Sequence, residues 1–221
     1  MSFVEIDGGI RAYFAEPEAA NEMTPTVVMA MHLWGVDSSQ RAAADRFASE
    51  GFATLVPDLY EGLGAPDGDG ATDASRFYPL AKSLSFETVD PMILSAARWL
   101  KQRFPQTSTC IAGFCMGGVM ALRRAHGYRD TFAAAAVWYG SLAGVEGAQI
   151  DVPLVASYGA EDKGIPVESV EQFTDALKVP HDVKIYGGAQ HAFCDEERAA
   201  YHAQAAEDSW SRTMAFLKRV M

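Results

Sequence analysis

The sequence predicts a doubly wound α/β fold, in which helices cover both faces of a mostly parallel sheet. Two observations predict it. Short apolar runs alternate with longer amphipathic ones along the chain, which is the order of strands and helices in βαβ units. The central runs are apolar at consecutive positions, as strands buried on both faces are. Because 221 residues suit one large α/β domain, a single domain over residues 1–221 is expected.

The same periodicity places the individual elements. An N-terminal hairpin around the Asp7-Gly8-Gly9 turn opens the sheet. Strands are predicted at Phe3–Ile6, Arg11–Ala15, Thr26–Met31, Ala53–Val56, Ser108–Ala112, Ala133–Trp138, Leu154–Tyr158 and Val183–Tyr186, and helices at about Ser39–Glu50, Glu87–Arg103, Met116–Ala125, Val167–Leu177 and Ala199–Arg219. Ligands of such sheets lie at the carboxyl ends of the strands, so functional residues are expected there.

Composition restricts the partners of the chain. The 18 basic and 29 acidic residues give a net charge of −11, and such a field repels nucleic acid and anionic membranes. No apolar stretch approaches the roughly 20 residues of a membrane helix, and the N-terminal segment lacks the pattern of a signal peptide. We therefore expect no nucleic-acid or membrane partner and a cytoplasmic location.

The cysteines indicate neither a disulfide framework nor a metal site. Cys110, Cys115 and Cys194 are an odd number without C-x-x-C spacing, which favours free thiols in a reducing compartment. No cluster has metal-ligand spacing, and the Gly-x-Gly-x-x-Gly pattern of dinucleotide binding is absent from the sequence. We expect neither a metal nor an organic cofactor.

The segment Gly113-Phe114-Cys115-Met116-Gly117 carries the strongest functional signal. A predicted strand leads into it and a predicted helix begins just after it, which is the context of the nucleophile elbow of α/β-hydrolases, here with a cysteine as nucleophile. The start of the helix favours a thiolate at Cys115, and the Met116 amide would point at the same place as an oxyanion donor. The alternative is that Cys115 is an inert buried thiol, as Cys110 within its strand is expected to be.

The partners of this nucleophile come later in the chain, in the order acid and then histidine that α/β-hydrolases share. Asp162 follows the predicted strand Leu154–Tyr158, and His191 follows the last predicted strand, so both lie on the same rim of the sheet as Cys115. Glu161 is the alternative acid. The remaining histidines are expected at the surface, His126 at a helix end, His181 in a loop and His202 within the final helix.

With these residues the chain resembles the dienelactone hydrolase (carboxymethylenebutenolidase) family over nearly its whole length. The cysteine elbow combined with Pro57-Asp58-Leu59-Tyr60 is the most specific match. Further matching segments are the N-terminal hairpin, Leu33-Trp34-Gly35-Val36, Trp138-Tyr139-Gly140, the loops of Asp162 and of His191-Ala192-Phe193, and Ala205, Glu207, Asp208 and Trp210. The resemblance implies a triad of Cys115, Asp162 and His191, with the amides of Leu33 and Met116 as the oxyanion hole.

The substrate pocket is expected to include His32, Trp34, Arg76, Tyr139 and Arg198. Many family members carry Glu at the position of His32, where an imidazole would affect the ionisation of the thiol. The alternative for His32 is a strand-end residue whose ring bonds a backbone carbonyl. A carboxylate-binding arginine of the family stands four residues after the histidine, but this chain has Asp195 there, with Arg198 three residues further on and Arg76 near the place of another family arginine. A neutral substrate is therefore expected to be preferred.

The expected function is hydrolysis of a small ester or lactone through a cysteine acyl-enzyme. Two alternatives stay open: a promiscuous esterase that acts on neutral or phosphorus esters, and a non-catalytic binding protein that keeps the pocket without turnover. A small-molecule substrate is the expected partner, and the chain is expected to be a monomer or a weak homodimer.

Overall fold

In the computed structural model, which describes residues 1–221, strands and helices alternate as the sequence predicts. The chain divides into two units, Met1–Thr109 and Cys110–Met221. Each unit contains strands that pair with one another and helices that pack on them. The expected single domain over residues 1–221 stays a prediction.

The elements are bounded as follows. The strands are β1 (Ser2–Ile6), β2 (Ile10–Ala15), β3 (Thr26–Ala30), β4 (Ala53–Pro57), β5 (Thr109–Phe114), β6 (Ala134–Trp138), β7 (Leu154–Gly159) and β8 (His181–Tyr186). The helices are α1 (Ser38–Ser49), α2 (Tyr78–Ser83), α3 (Phe86–Arg103), α4 (Met116–Arg124), α5 (Val167–Ala176) and α6 (Ala203–Val220), with short 3₁₀ helices at Ala74–Arg76 and Gly147–Gln149. None of the helices has both the length and the apolar character that crossing a membrane requires.

The first unit contains the predicted N-terminal hairpin, in which β1 runs antiparallel to β2. Strand β2 pairs with β4 in the antiparallel sense, and β4 pairs with β3 in the parallel sense. Every residue of β3 and β4 is buried, which explains why both strands are apolar at consecutive positions. Helix α1 packs against β4 and β2, and α3 packs against β3 and β4. A capping box between Ser85 and Thr88 fixes the start of α3.

The second unit contains four parallel strands in the order β5, β6, β7, β8. Helix α4 packs against β6, and α6 packs against β6, β7 and β8. A stack of aromatic rings forms part of the core, because the Trp138 ring centroid lies 4.3 Å from that of Phe114 and 5.9 Å from that of Trp210. Phe114 and Trp138 are the last residues of β5 and β6. The stacked rings therefore pack together the ends of two strands that precede predicted site residues.

Most predicted boundaries differ from the observed ones by a single residue, and the larger differences are at the end of β5, the start of β8 and the start of α6. Helix α2 and the 3₁₀ helices were not predicted because they are too short to show a period. Strand β8 begins at His181 rather than Val183, since His181 pairs with Leu154. An edge strand tolerates the exposed polar residues that had suggested a loop. Helix α6 begins at Ala203 rather than Ala199, and His202, expected within that helix, is its N-cap.

Candidate active site

Cys115 lies in the sharp turn between β5 and α4, with φ 52° and ψ −118°. A non-glycine residue with positive φ is strained and persists only where its surroundings hold it. Here the Cys115 N–H donates to the Trp138 carbonyl at 3.0 Å, and its own carbonyl accepts from the Val119 N–H at 3.2 Å. The predicted strand–turn–helix geometry is therefore present, with a half-buried thiol at the start of a helix.

Glycine is required on both sides of this turn for steric reasons. A Cβ at Gly113 would lie 2.2 Å from the carbonyl carbon and oxygen of Gly117. A Cβ at Gly118 would lie 2.8 Å from the Cα of Gly140, which follows β6. Because these neighbours are backbone atoms that cannot move aside, the elbow accepts no side chain at either position.

A chain of hydrogen bonds joins the three residues predicted as a triad. The Nδ1 atom of His191 lies 2.6 Å from Asp162 Oδ2, and its Nε2 atom lies 3.0 Å from Cys115 Sγ. The Asp162 carboxylate is buried, and its Oδ1 accepts from the Gly164 N–H at 2.8 Å. Glu161, the alternative acid, is exposed. The structure thus brings Cys115, His191 and Asp162 together and leaves the Glu161 side chain at the surface.

The loops that carry Asp162 and His191 are locked to each other. The Glu161 N–H donates to the Ala189 carbonyl at 2.9 Å. A Cβ at Gly159, the last residue of β7, would lie 2.4 Å from the same carbonyl oxygen, so this close approach requires glycine. These contacts fix the separation of the two loops and with it the short bond between His191 and Asp162.

The electrostatics of the three residues favour a protonated imidazole. Burial lowers the pKa of His191, but its hydrogen bonds to Asp162 and Cys115 raise it more, so that it stands at about 10. Burial raises the pKa of Asp162, yet the bonds from His191 and from the Gly164 N–H hold it below its usual range. An imidazolium bonded to sulfur stabilises a thiolate, which is the reactive form of cysteine.

The aromatic ring of Tyr139 packs beside His191. It is buried and has a strained φ of 41°, and its ring centroid lies 5.1 Å from that of His191 and 5.3 Å from that of Phe193. Burial, followed by the neighbouring Cys194, Cys115 and Asp195, raises the pKa of Tyr139 well above its usual value. The phenol of Tyr139 therefore stays neutral.

Asp195 and Arg198 form an ion pair in the loop that follows His191. Arg198 Nε donates to Asp195 Oδ2 at 3.1 Å, and the Glu197 N–H donates to Asp195 Oδ1 at 3.0 Å. Both charged side chains are largely buried, with exposed fractions of 14% for Arg198 and 7% for Asp195. The charge of Arg198 is thus balanced by Asp195.

The remaining predicted pocket residues belong to the first unit. His32 is buried, and its Nε2 lies 2.9 Å from Asp37 Oδ1, so the ring bonds a carboxylate and not the backbone carbonyl of the alternative interpretation. The Leu33 carbonyl accepts a hydrogen bond from the Tyr60 hydroxyl at 3.0 Å. The Trp34 ring packs against Phe77, and Arg76 is exposed at the end of a 3₁₀ helix. Their roles in a pocket stay predictions.

Sequence reasoning missed Asp37. This residue is the N-cap of α1 and accepts from the Gln40 N–H at 3.0 Å. Asp-Ser-Ser ahead of an amphipathic helix was a readable capping signal. Nothing in the sequence, however, marks Asp37 as the partner of His32, because that bond depends on the fold of the intervening turn. No group of three or more His, Cys, Asp or Glu side chains is placed to hold a metal ion.

Comparison with known sequences identifies the family. The model of the dienelactone hydrolase family matches residues 10–221. An Escherichia coli protein named for a proposed carboxymethylenebutenolidase activity is 30% identical over 94% of this chain and 82% of its own length. The protein usf of Aquifex pyrophilus is 28% identical over 96% of this chain and 94% of its own length.

Solved structures agree with this match. A proposed dienelactone hydrolase from Klebsiella pneumoniae subsp. pneumoniae has a TM-score of 0.83 and 28% identity, with 99% of this chain and 98% of that chain covered. A dienelactone hydrolase-like promiscuous phosphotriesterase from metagenomic libraries shares the fold, with a TM-score of 0.76, 20% identity and coverage of 99% and 97%. The predicted α/β-hydrolase fold is therefore confirmed, and the chain belongs to the dienelactone hydrolase family of hydrolases.

Proposed function

We propose that this chain hydrolyses small carboxylic ester or lactone bonds through a covalent acyl-enzyme on Cys115. The observation that carries the proposal is the hydrogen-bonded chain from Asp162 through His191 to Cys115. A nucleophile, a base and an orienting carboxylate in this order are the groups that acyl transfer requires. Membership of the dienelactone hydrolase family supports ester or lactone hydrolysis as the reaction class.

The first half of the proposed reaction forms the acyl-enzyme. The Cys115 thiolate gives an electron pair to the substrate carbonyl carbon, and the carbonyl oxygen becomes an oxyanion. We take the amides of Leu33 and Met116 as its hydrogen-bond donors. Met116 is suited to this because it directly follows Cys115 and is the first residue of α4, where the helix dipole favours negative charge. As the oxyanion collapses, the ester C–O bond breaks and His191 gives its proton to the leaving alkoxide.

The second half returns the enzyme to its starting state. Neutral His191 takes a proton from water while the water oxygen attacks the thioester carbon. The second tetrahedral intermediate collapses with Cys115 thiolate as leaving group, and the carboxylic acid product departs. Asp162 bonds Nδ1 of His191 at 2.6 Å, which keeps Nε2 directed at sulfur and water and stabilises the imidazolium.

The proposed substrate pocket consists of His32, Trp34, Arg76, Tyr139 and Arg198. Tyr139 has direct support, since its ring packs against His191. Arg198 is bound by Asp195, which supports a preference for neutral substrates, because an arginine already paired with a carboxylate has less to gain from a second one. For His32 we propose an influence on the ionisation of Cys115, with Asp37 fixing the orientation of its ring.

A second candidate is promiscuous action on neutral carboxylic or phosphorus esters. The shared fold of the metagenomic phosphotriesterase favours it, as does the paired state of Arg198. A cysteine thiolate can attack phosphorus as well as a carbonyl carbon. Turnover of a neutral phosphate triester at a rate comparable to that of a carboxylic ester would identify this activity.

We also propose a domain organisation, a location, an oligomeric state and a type of partner for this chain. We propose that residues 1–221 act as one domain, as a cytoplasmic monomer or weak homodimer. The net charge of −11 supports a small-molecule substrate as partner rather than nucleic acid or an anionic membrane. Sedimentation velocity at several protein concentrations measures the oligomeric state directly.

Substitution of the nucleophile tests the proposed function. Cys115→Ala should fold, because a small side chain fits the turn, and should lose ester hydrolysis. Cys115→Ser should be nearly as inactive, since a site built to stabilise a thiolate need not ionise a hydroxyl. Cys194→Ala, which removes another half-buried thiol, is the matched control. Retention of more than about a tenth of wild-type turnover by Cys115→Ala would contradict the cysteine mechanism. Such a variant would have an activation barrier raised by no more than about 1.4 kcal/mol.

Active-site titration separates the enzyme from a non-catalytic binding protein with the same pocket. A slow ester should release one equivalent of alcohol in a rapid burst and leave an acyl group on Cys115 that mass spectrometry detects. In a non-catalytic binding protein, the bound ester would protect Cys115 from alkylation by a thiol reagent, but no burst of alcohol would be released.

A further inference from the structure

The segment between β8 and α6 carries His191 near its start and His202 at its end. His202 is the N-cap of α6, and its Nδ1 accepts from the Ala205 N–H at 3.2 Å. Its backbone N–H donates to the Phe193 carbonyl at 2.9 Å. His202 therefore ties the start of a long helix to a residue that lies two positions after His191.

The ring of His202 also reaches the other side of the same loop. A Cβ built on Gly188 would lie 3.7 Å from His202 Nε2, so the imidazole lies beside the Gly188 backbone. Gly188 has a φ of 74° and precedes His191 by three residues. His202 thus bonds the loop after His191 through its backbone, and its ring lies beside the part of the loop that precedes His191.

The loop that carries His191 depends on contacts from outside it, because its backbone is strained and irregular. Ala192, directly after His191, has a φ of 63°, which an alanine adopts only under constraint. From Ala192 to Tyr201 the chain makes a series of single turns, in which the N–H groups of Asp195, Arg198 and Tyr201 each donate to the carbonyl three residues earlier at 3.0 Å. A relaxation of Ala192 would displace His191 from both of its partners.

A histidine suits both the capping bond to Ala205 and the position of the ring beside Gly188. Ser, Thr, Asp and Asn are the usual N-cap residues and have short side chains. The imidazole supplies an acceptor nitrogen for the Ala205 N–H and extends a flat ring to Gly188. From this geometry we propose that His202 is a positioning residue: by capping α6 it keeps its backbone bond to Phe193 and holds the His191 loop in the reactive geometry. This inference rests on the proposed function of the triad.

The test compares two substitutions of His202 with the wild type. His202→Ala removes the cap, and kcat for a neutral ester should fall about tenfold with KM within about twofold, because a small displacement of a catalytic group affects turnover more than binding. Iodoacetamide labelling of Cys115, followed on its peptide by mass spectrometry, should slow in parallel. His202→Asn restores a cap acceptor and should return kcat to within about threefold of wild type.

A cap in the other unit supplies the matched control. Ser85→Ala removes the N-cap of α3, far along the chain from any residue of the triad. Both alanine variants should lower the melting temperature by a similar amount, but only His202→Ala should lower kcat. If His202→Ala does not fold, His202→Gln keeps a side chain of similar length without a favourable cap and takes its place against His202→Asn.

Three results would overturn the proposal: wild-type kcat in His202→Ala, an equal loss of kcat in Ser85→Ala, or a stable His202→Asn variant no more active than His202→Ala. Cys115→Ala, assayed alongside, keeps this inference distinct from the proposed function. Residual turnover in Cys115→Ala would count against the triad itself. An inactive Cys115→Ala together with a fully active His202→Ala would count against the positioning role alone.

Discussion

The Nε2 atom of His191 lies 3.0 Å from the Sγ atom of Cys115, while Nδ1 of the same ring is bonded to Asp162. The nucleophile is therefore paired with its proposed base. Because both bonds are already formed, attack on a carbonyl needs no prior rotation of either side chain.

Removing the charge of Asp162 should reduce turnover while substrate binding is retained. In Asp162→Asn the imidazolium is no longer stabilised and the tautomer of His191 is no longer fixed, so kcat should fall about 10²-fold with little change in KM. The loss should be smaller than in serine enzymes, since a thiol ionises more readily than a hydroxyl. Steady-state kinetics on one neutral ester measures it.

Glu161→Gln is the matched control for this substitution. Glu161 is adjacent to Asp162 in sequence, but its side chain is exposed. Its neutralisation should leave kcat close to that of the wild type. A greater loss in Glu161→Gln than in Asp162→Asn would mean that the wrong carboxylate has been assigned as the acid.

The pKa of His191, about 10, predicts an alkaline limit for the proposed activity. Hydrolysis of an alkyl ester, whose leaving alkoxide needs a proton, should decline as the pH rises through about 10. In Asp162→Asn the same decline should occur at lower pH, because the bond to Asp162 is one of the causes that raise this pKa. An alkaline limb at the same pH in both proteins would contradict the assignment of His191 as the acid.

The same shift predicts the sign of a stability change. A histidine whose pKa is raised on folding, here from 6.5 to about 10, stabilises the fold fully below 6.5 and loses this contribution as the pH rises to about 10. The melting temperature of the wild type should therefore exceed that of His191→Gln at pH 6, and the difference should vanish near pH 10. The effect should be modest, because the His191 side chain is 42% exposed and water screens its interactions.

The elbow itself should fail when a single methyl group is added. Gly113→Ala places a Cβ 2.2 Å from the Gly117 backbone and should destabilise the fold by about 3 kcal/mol and abolish activity. Gly187→Ala is the control, since a Cβ there meets nothing within 4 Å and the backbone has no positive φ. Chemical denaturation should give a clearly lower free energy of unfolding for Gly113→Ala than for Gly187→Ala. Equal stability would mean that the turn can widen without cost.

The positions that could be predicted from the sequence are those that strand ends and short motifs determine. Cys115, Asp162 and His191 each follow a parallel strand, and the carboxyl ends of parallel strands meet at one edge of a sheet. The bond between His32 and Asp37 could not be predicted, because it depends on the path of a turn that no motif marks. The N-cap role of His202 was missed for a similar reason, since the turns after Ala192 leave no periodic signal.

His32 should influence the thiol if the pocket forms as proposed. His32→Gln should slow iodoacetamide labelling of Cys115 at neutral pH, because a nearby imidazole that can carry charge favours the thiolate. Asp37→Asn keeps an N-cap residue on α1 but removes the carboxylate that bonds the ring, and it should have a similar effect. Labelling rates that match the wild type across the pH range would limit His32 to a structural role at the end of β3.

The pairing of Asp195 with Arg198 predicts the charge of the preferred substrate. Burying a substrate carboxylate without a free cation is unfavourable, and here the largely buried Arg198 already bonds Asp195 at 3.1 Å. A neutral ester or lactone should therefore have a higher kcat/KM than its carboxylate-bearing analogue. Asp195→Asn should narrow this difference by releasing the charge of Arg198. A wild-type preference for the anion that is lost in Arg198→Ala or Arg76→Ala would show instead that one of these arginines binds the carboxylate.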